Sequence, residues 1–132
     1  MIPFRVVFQP GVPLYEQVAF AAKKAIVSGQ LRPGDPFPSV RALSAEFKIN
    51  PNTAHKVTGA LLDEGLLEVR PGLGAVVADR PVSTAAERTR LLNREIEQLV
   101  VEAKRLRLSL DDVSAALDRH WSKLDSPQEA KR

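Results

Sequence analysis

The 132-residue chain contains no cysteine. That removes disulfides, thiolate metal sites and cysteine nucleophiles, and it fits a reducing compartment. Histidine is scarce as well: His55 and His120 are the only two, and neither has a carboxylate or a second histidine at ligand spacing. Metal sites and histidine-based catalysis therefore have little to stand on, and Asp111-Asp112 reads as a charge pair at a helix start, so no cofactor, no metal and no enzymatic activity are expected. Long apolar runs are missing, with nothing near the roughly 18 residues that span a bilayer. The N-terminus MIPFRVVFQPG lacks the charged-then-apolar layout of a signal peptide, so a cytoplasmic protein without a membrane partner is expected. Charge of one sign is not in large excess. The net charge is +3, with 9 Lys/Arg against 7 Asp/Glu in residues 1–80 and 10 against 9 in residues 81–132. This balance permits a nucleic-acid partner without arguing for one, so such a partner has to be inferred from local placement.

What is present is a succession of well-punctuated elements. Residues 4–8, FRVVF, are β-branched and aromatic between Pro3 and Gln9-Pro10-Gly11, which predicts a short strand. Pro13 sits in a first helical turn, and Leu14, Val18, Ala22 and Ile26 follow at four-residue spacing, giving a helix that ends at Gly29. Its other face carries Glu16, Lys23 and Lys24, either as a solvated face or as phosphate contacts. After the turn-rich connector 31–36, Ser39 is a capping residue ahead of Val40, Leu43 and Phe47, so a second helix is expected over 40–47. Asn50-Pro51 opens a third, about 51–64, with Ala54, Val57 and Leu61 as its buried stripe and Gly65 as its stop. The opposite face of this third helix is Asn52, Thr53, His55, Lys56 and Gly59, without a carboxylate until Asp63. Those groups suit the wall of a major groove, although an ordinary solvated face would look similar. Two strands around Pro71-Gly72-Leu73-Gly74 come next, and glycines there let a turn approach a phosphate or a minor groove closely. Two short helices followed by such a hairpin form a winged helix-turn-helix.

These residues resemble the GntR family of bacterial transcriptional regulators, and its YtrA-like branch in particular. The resemblance is carried by Pro13-Leu14-Tyr15-Glu16-Gln17-Val18, Gly29-Gln30-Leu31-Arg32-Pro33-Gly34-Asp35 and Pro38-Ser39-Val40-Arg41-Ala42-Leu43. Asn50-Pro51-Asn52-Thr53-Ala54, Leu61-Leu62-Asp63-Glu64-Gly65-Leu66-Leu67 and Gly72-x-Gly74 complete it. The resemblance implies that Arg41 reaches DNA and that Ser39, with the amides opening its helix, meets a phosphate. It further implies that Asn52, Thr53 and His55, with Lys56 beside them, face bases and phosphates, and that Gly72 at the wing tip enters the minor groove. Three positions depart from the family pattern. His55 stands where a longer basic residue is common, Leu73 replaces a Lys or Arg, and Thr58 replaces a frequent tyrosine. The first two imply fewer ionic contacts with DNA.

Beyond Asp79, residues 80–84 read as a linker whose Ser83 or Thr84 caps a helix. Leu92, Ile96, Leu99, Ala103 and Leu106 repeat at four-three-four-three spacing, with Leu91, Val100 and Val101 widening the stripe. Ser109 caps a last helix with Asp112 three residues on, and Val113, Ala116, Leu117, Trp121 and Leu124 form its apolar side. A disordered tail is expected over 126–132. Two helices of this size cannot enclose a small-molecule pocket, and they expose more apolar surface than they can bury against each other. They are expected to pair with a second copy, Leu92, Ile96, Leu99, Ala103, Leu106, Val113, Leu117 and Trp121 forming the dimer contact; packing on the chain's own winged domain is the alternative.

The expected fold is thus mainly α with a small β-wing: a winged helix-turn-helix domain over 1–79 and a C-terminal two-helix dimerisation hairpin over 80–132. The expected function is a homodimeric, sequence-specific repressor binding a near-palindromic operator in double-stranded DNA. A small-molecule effector of unspecified chemistry is left open. The rival reading is a winged-helix protein-interaction module without specific DNA binding.

Overall fold

The computed structural model describes residues 2–79 and 83–125. Arg80, Pro81 and Val82 of the expected linker and the whole expected tail, 126–132, lie outside the described residues. The described chain divides into two units, 2–79 and 83–125. No helix among these residues is long and apolar enough to cross a membrane.

The first unit is built on three helices, α1 (Leu14–Val27), α2 (Val40–Phe47) and α3 (Pro51–Asp63), followed by the strands β1 (Leu67–Arg70) and β2 (Gly74–Val77). In α1 the buried residues are mostly alanines, Ala19, Ala21, Ala22 and Ala25, around Val18 and Ile26. Small side chains let two helix axes approach closely, and α1 packs principally against α3, whose Ala54, Val57 and Leu61 are fully buried. Leu14, placed by its spacing on the buried stripe, is instead 45% exposed. It is the first residue of the helix.

Both short helices begin where their capping residues indicate. Ser39 Oγ accepts from the Ala42 N–H at 3.1 Å, and Asn50 Oδ1 accepts from the Asn52 N–H at 2.7 Å with Pro51 as first helical residue. Their ends are set by left-handed residues. Lys48 (φ 53°) ends α2 as the Ile49 N–H reaches back to the Ser44 carbonyl. Gly65 (φ 76°) ends α3 in the same way, with the Leu66 N–H on the Leu61 carbonyl.

Residues 4–8 do not form the expected strand. They form no ladder with any described strand, and the outer edge of β2 is taken by the connector. Pro36 bridges Val76, and the Phe37 N–H and Gly34 N–H donate to the Ala75 and Val77 carbonyls at 2.9 and 2.8 Å. The aromatics bury for packing instead: Phe4 stacks on Phe37 and Phe47 at ring-centroid distances of 6.2 and 5.8 Å, and Phe8 meets Phe47 edge-on at 6.3 Å. Gln17 then ties down the turn that follows, accepting from the Gln9 N–H and donating to the Gln9 and Val12 carbonyls.

The second unit is α4 (Ala85–Thr89), a π-helical turn (Arg90–Glu95), α5 (Ile96–Arg105) and α6 (Leu110–Asp125). Thr84 and Glu87 close a reciprocal capping box. Arg107 in the left-handed region (φ 60°) turns the chain between α5 and α6. Ser109 opens α6 with its own reciprocal pair, Ser109 Oγ accepting from the Asp112 N–H and the Ser109 N–H donating to Asp112 Oδ2. Past this turn α5 and α6 diverge and make little contact with each other.

Candidate nucleic-acid interface

The polar residues singled out on α2, α3 and the hairpin all lie on the surface of the first unit. Arg41 is exposed as the second residue of α2 and forms no ion pair with any described residue. Ser39 precedes it, but its hydroxyl oxygen already accepts the cap bond, so an anion at this helix start would meet the hydroxyl proton and free main-chain N–H groups. On α3, Asn52, His55 and Lys56 are exposed and Thr53 is half-buried. Burial of Ala54, Val57 and Leu61 fixes which face these residues present, since a helix with one fully buried stripe cannot rotate about its axis.

Lys56 is not free to swing. Its ammonium lies 5.7 Å from the centroid of the Tyr15 ring on α1, a cation–π contact that holds the charge near the surface of α3. Tyr15 is therefore a positioning residue for this face, which a helix-by-helix reading of the sequence does not reveal. Lys48 was also missed. It is exposed in the turn between α2 and α3, and a basic residue just ahead of Asn50-Pro51 was the available signal.

The wing presents less charge than its length allows. Gly72 (φ 79°) and Gly74 (φ 78°) hold the turn in a conformation that side chains resist, the Leu73 N–H closes it on the Arg70 carbonyl at 3.0 Å, and Leu73 between them is 66% exposed. The cation at its base is occupied: Arg70 pairs with Glu68 at 2.9 Å and with Asp79 at 3.5 Å, and the Glu68 hydrogen bond raises its pKa further. Of the two lysines on the outer face of α1, Lys23 is paired with Glu64 at the end of α3, and Lys24 sits 5.2 Å over Phe20. On α2, the turn after it and α3, the cations outside any ion pair among the described residues are Arg41, Lys48 and Lys56. His55 and His120 are both exposed, and no group of three His, Cys, Asp or Glu side chains able to hold a metal occurs among the described residues.

In the second unit the residues expected to pair with another chain divide into two sets. Ala103 (7% exposed) and the half-buried Val113 face the crook between α5 and α6. Leu92, Ile96, Leu99, Leu106, Leu117 and Trp121 remain exposed, Trp121 at 73%. The divergence of α5 and α6 leaves an open groove of about 620 Å³, lined by Leu99, Ala103, Leu106, Leu108, Val113 and Ala116.

The model of the family described as bacterial regulatory proteins, gntR family, matches residues 14–77. The chain is 33% identical over 92 residues to the HTH-type transcriptional repressor YtrA of Bacillus subtilis (strain 168), covering 69% of this chain and 71% of the relative. Among solved structures, a transcriptional antiterminator from Listeria monocytogenes EGD-e superposes with a TM-score of 0.81 at 19% identity, over 92% of this chain and 91% of the other. That likeness bears on the fold alone. The AraR DNA-binding domain in complex with operator ORX1 matches with a TM-score of 0.52 at 29% identity, over 59% of this chain and all of that domain.

Proposed function

The chain belongs to the GntR family of bacterial regulatory proteins, in its YtrA-like branch, and is a DNA-binding transcriptional regulator; from that membership we propose that it acts as a homodimeric repressor on a near-palindromic operator. In this reading α3 lies in the major groove with Asn52, Thr53 and His55 toward base edges and Lys56 toward the backbone. Arg41 reaches DNA from α2, the start of α2 at Ser39 meets a phosphate, and Gly72 brings the wing to the minor groove. Residues 1–79 form the reading domain and 80–132 the pairing domain, which sets two half-sites about one helical turn apart. A cytoplasmic location follows from a chromosomal partner.

The observation that carries the reading is the exposed face of α3 with its neighbours. On α3 it offers donors and no carboxylate before Asp63, with rotation fixed by a fully buried stripe, and Arg41, Lys48 and Lys56 stand outside any ion pair among the described residues. The exposed leucines and Trp121 of the second unit support pairing with an identical chain, because a contiguous apolar face of this kind is rarely left to solvent. An effector would act by favouring one arrangement of the two reading domains over another. Deleting 80–132 tests the reading: the remaining chain should be monomeric and bind the operator about 10²- to 10⁴-fold more weakly, since the second half-site is no longer held nearby. A monomeric truncation with full-length affinity would contradict it.

A further inference from the structure

The hairpin that follows α3 ends in a single projecting side chain. Arg70, Pro71, Gly72 and Leu73 make a turn closed by the Leu73 N–H on the Arg70 carbonyl, with proline second and a left-handed glycine third, the arrangement of a type II turn. Gly74 is left-handed as well, and apart from chain neighbours no atom lies within 4 Å of where a Cβ would stand on either glycine. Leu73 therefore projects between two stretches of bare main chain, 66% exposed. Burial in this hairpin is confined to its base, where Leu67, Val76 and Val77 join the core, while Val69 on β1 is 68% exposed. The tip thus has no packing role in the fold.

Charge gives this tip nothing to hold a phosphate with. Across residues 65–79, Arg70 stands against Glu68 and Asp79, a formal charge of −1. Arg70 is paired with both carboxylates, at 2.9 and 3.5 Å. What the tip does offer is one aliphatic side chain that gains by leaving water. On duplex DNA with α3 in the major groove, the narrow cleft that remains is the minor groove, about 6 Å wide, whose walls are deoxyribose edges. A tip of one side chain on bare main chain suits that width. An aliphatic group pressed between base steps reads neither donors nor acceptors; it reads how readily the step opens.

We propose that Leu73 is a specificity-determining residue of the DNA-reading unit, an apolar wedge that enters the minor groove beside the base pairs read by α3. The inference rests on the reading given above, in which Gly72 brings the wing to that groove. Two consequences follow from the chemistry of the tip. The base pairs under the wing are selected for deformability, so flexible TA and CA/TG steps are favoured there over stiff A-tracts. The wing's share of the affinity comes from apolar burial, so it does not change with salt, unlike that of Arg41, Lys48 and Lys56.

Two variants of the full-length chain separate an apolar wedge from an ionic contact. Wild type, Leu73→Ala and Leu73→Lys each select from a random-sequence duplex pool, and anisotropy at several salt concentrations measures their affinity for the duplex that wild type prefers. The wild-type pool is expected to carry flexible steps beside the α3 motif. Leu73→Ala should keep that motif, lose the preference beside it and bind at least about tenfold more weakly, with salt slope and melting temperature unchanged because the side chain is exposed. Leu73→Lys should lose the same preference while steepening the salt slope by about 1.8 for two wings. Wild-type affinity in Leu73→Ala, a Leu73→Ala pool that retains the preference, or a wild-type pool with A-tracts or no preference beside the motif overturns the wedge while the DNA-binding reading stands. A wild-type chain that enriches no duplex removes both.

Discussion

Replacing Arg41 by alanine is the perturbation whose size the structure allows to be worked out. Three cations per chain, Arg41, Lys48 and Lys56, stand exposed on α2, the turn after it and α3, outside any ion pair among the described residues. If a dimer places all six against phosphates, the logarithm of affinity falls with the logarithm of salt at a slope of about −5, so raising salt from about 50 to about 200 mM weakens binding roughly 10³-fold. Arg41→Ala removes two of the six contacts and should bring the slope to about −3.5. Where Arg41 also reaches a base edge, a further loss of about tenfold per half-site is expected. Arg41 is exposed and outside any ion pair among the described residues, so the melting temperature should be unchanged, which separates a binding defect from a folding one. Anisotropy titrations at several salt concentrations, with circular dichroism as the control for folding, read out both numbers. If affinity and slope both match wild type, α2 does not face DNA and the docking mode is wrong.

Other perturbations test the supports of that face. Phe4→Ala removes a ring that is 7% exposed and stacked on Phe37 and Phe47, and should lower stability by about 3 kcal/mol in urea unfolding; a loss below about 1 kcal/mol would mean the N-terminal segment is not part of the core. Lys48→Gly relieves a left-handed residue and should raise stability by roughly 1 kcal/mol while lowering the salt slope of DNA binding, opposite effects of one change that melting and anisotropy measure separately. The Asp112 carboxyl is held below its usual pKa by the hydrogen bonds from Ser109. Its folded pKa lies below the unfolded one, so its contribution is present above the unfolded value and is lost as pH falls through the folded one. NMR titration should show this lowered value rising only part of the way in Ser109→Ala, which removes the hydroxyl but keeps the larger contribution from the main-chain N–H, with α6 fraying at its first turn in acid; an unshifted Asp112 in the parent chain would contradict the cap.

The helix-turn-helix was legible because its punctuation is local. Ser39 and Asn50-Pro51 specify helix starts through hydrogen bonds to residues two or three positions on, and the structure begins α2 and α3 at those sites. The glycine-bounded hairpin was legible for the same reason. What the sequence did not reveal depends on partners distant in the chain. FRVVF has strand composition, but pairing needs a free strand edge, and that of β2 is occupied by the connector 34–37. The Lys56–Tyr15 contact and the withdrawal of Lys23 to Glu64 join α1 to α3 across some forty residues, and neither has a periodic signature. The π turn has no periodic signature either, because the four-three repeat from Leu92 falls on one face of an ordinary α-helix without it. The fold was therefore readable, while which cations stand outside any ion pair needed the three-dimensional pairings.

The central claim, that two copies of this chain read two inverted half-sites with α3, is tested most directly by letting the full-length protein select from duplexes of random sequence. Two copies of one short motif in inverted orientation, at a single spacing near one helical turn, are expected in the enriched pool. A single half-site, direct repeats, or no enrichment over the starting pool would contradict it.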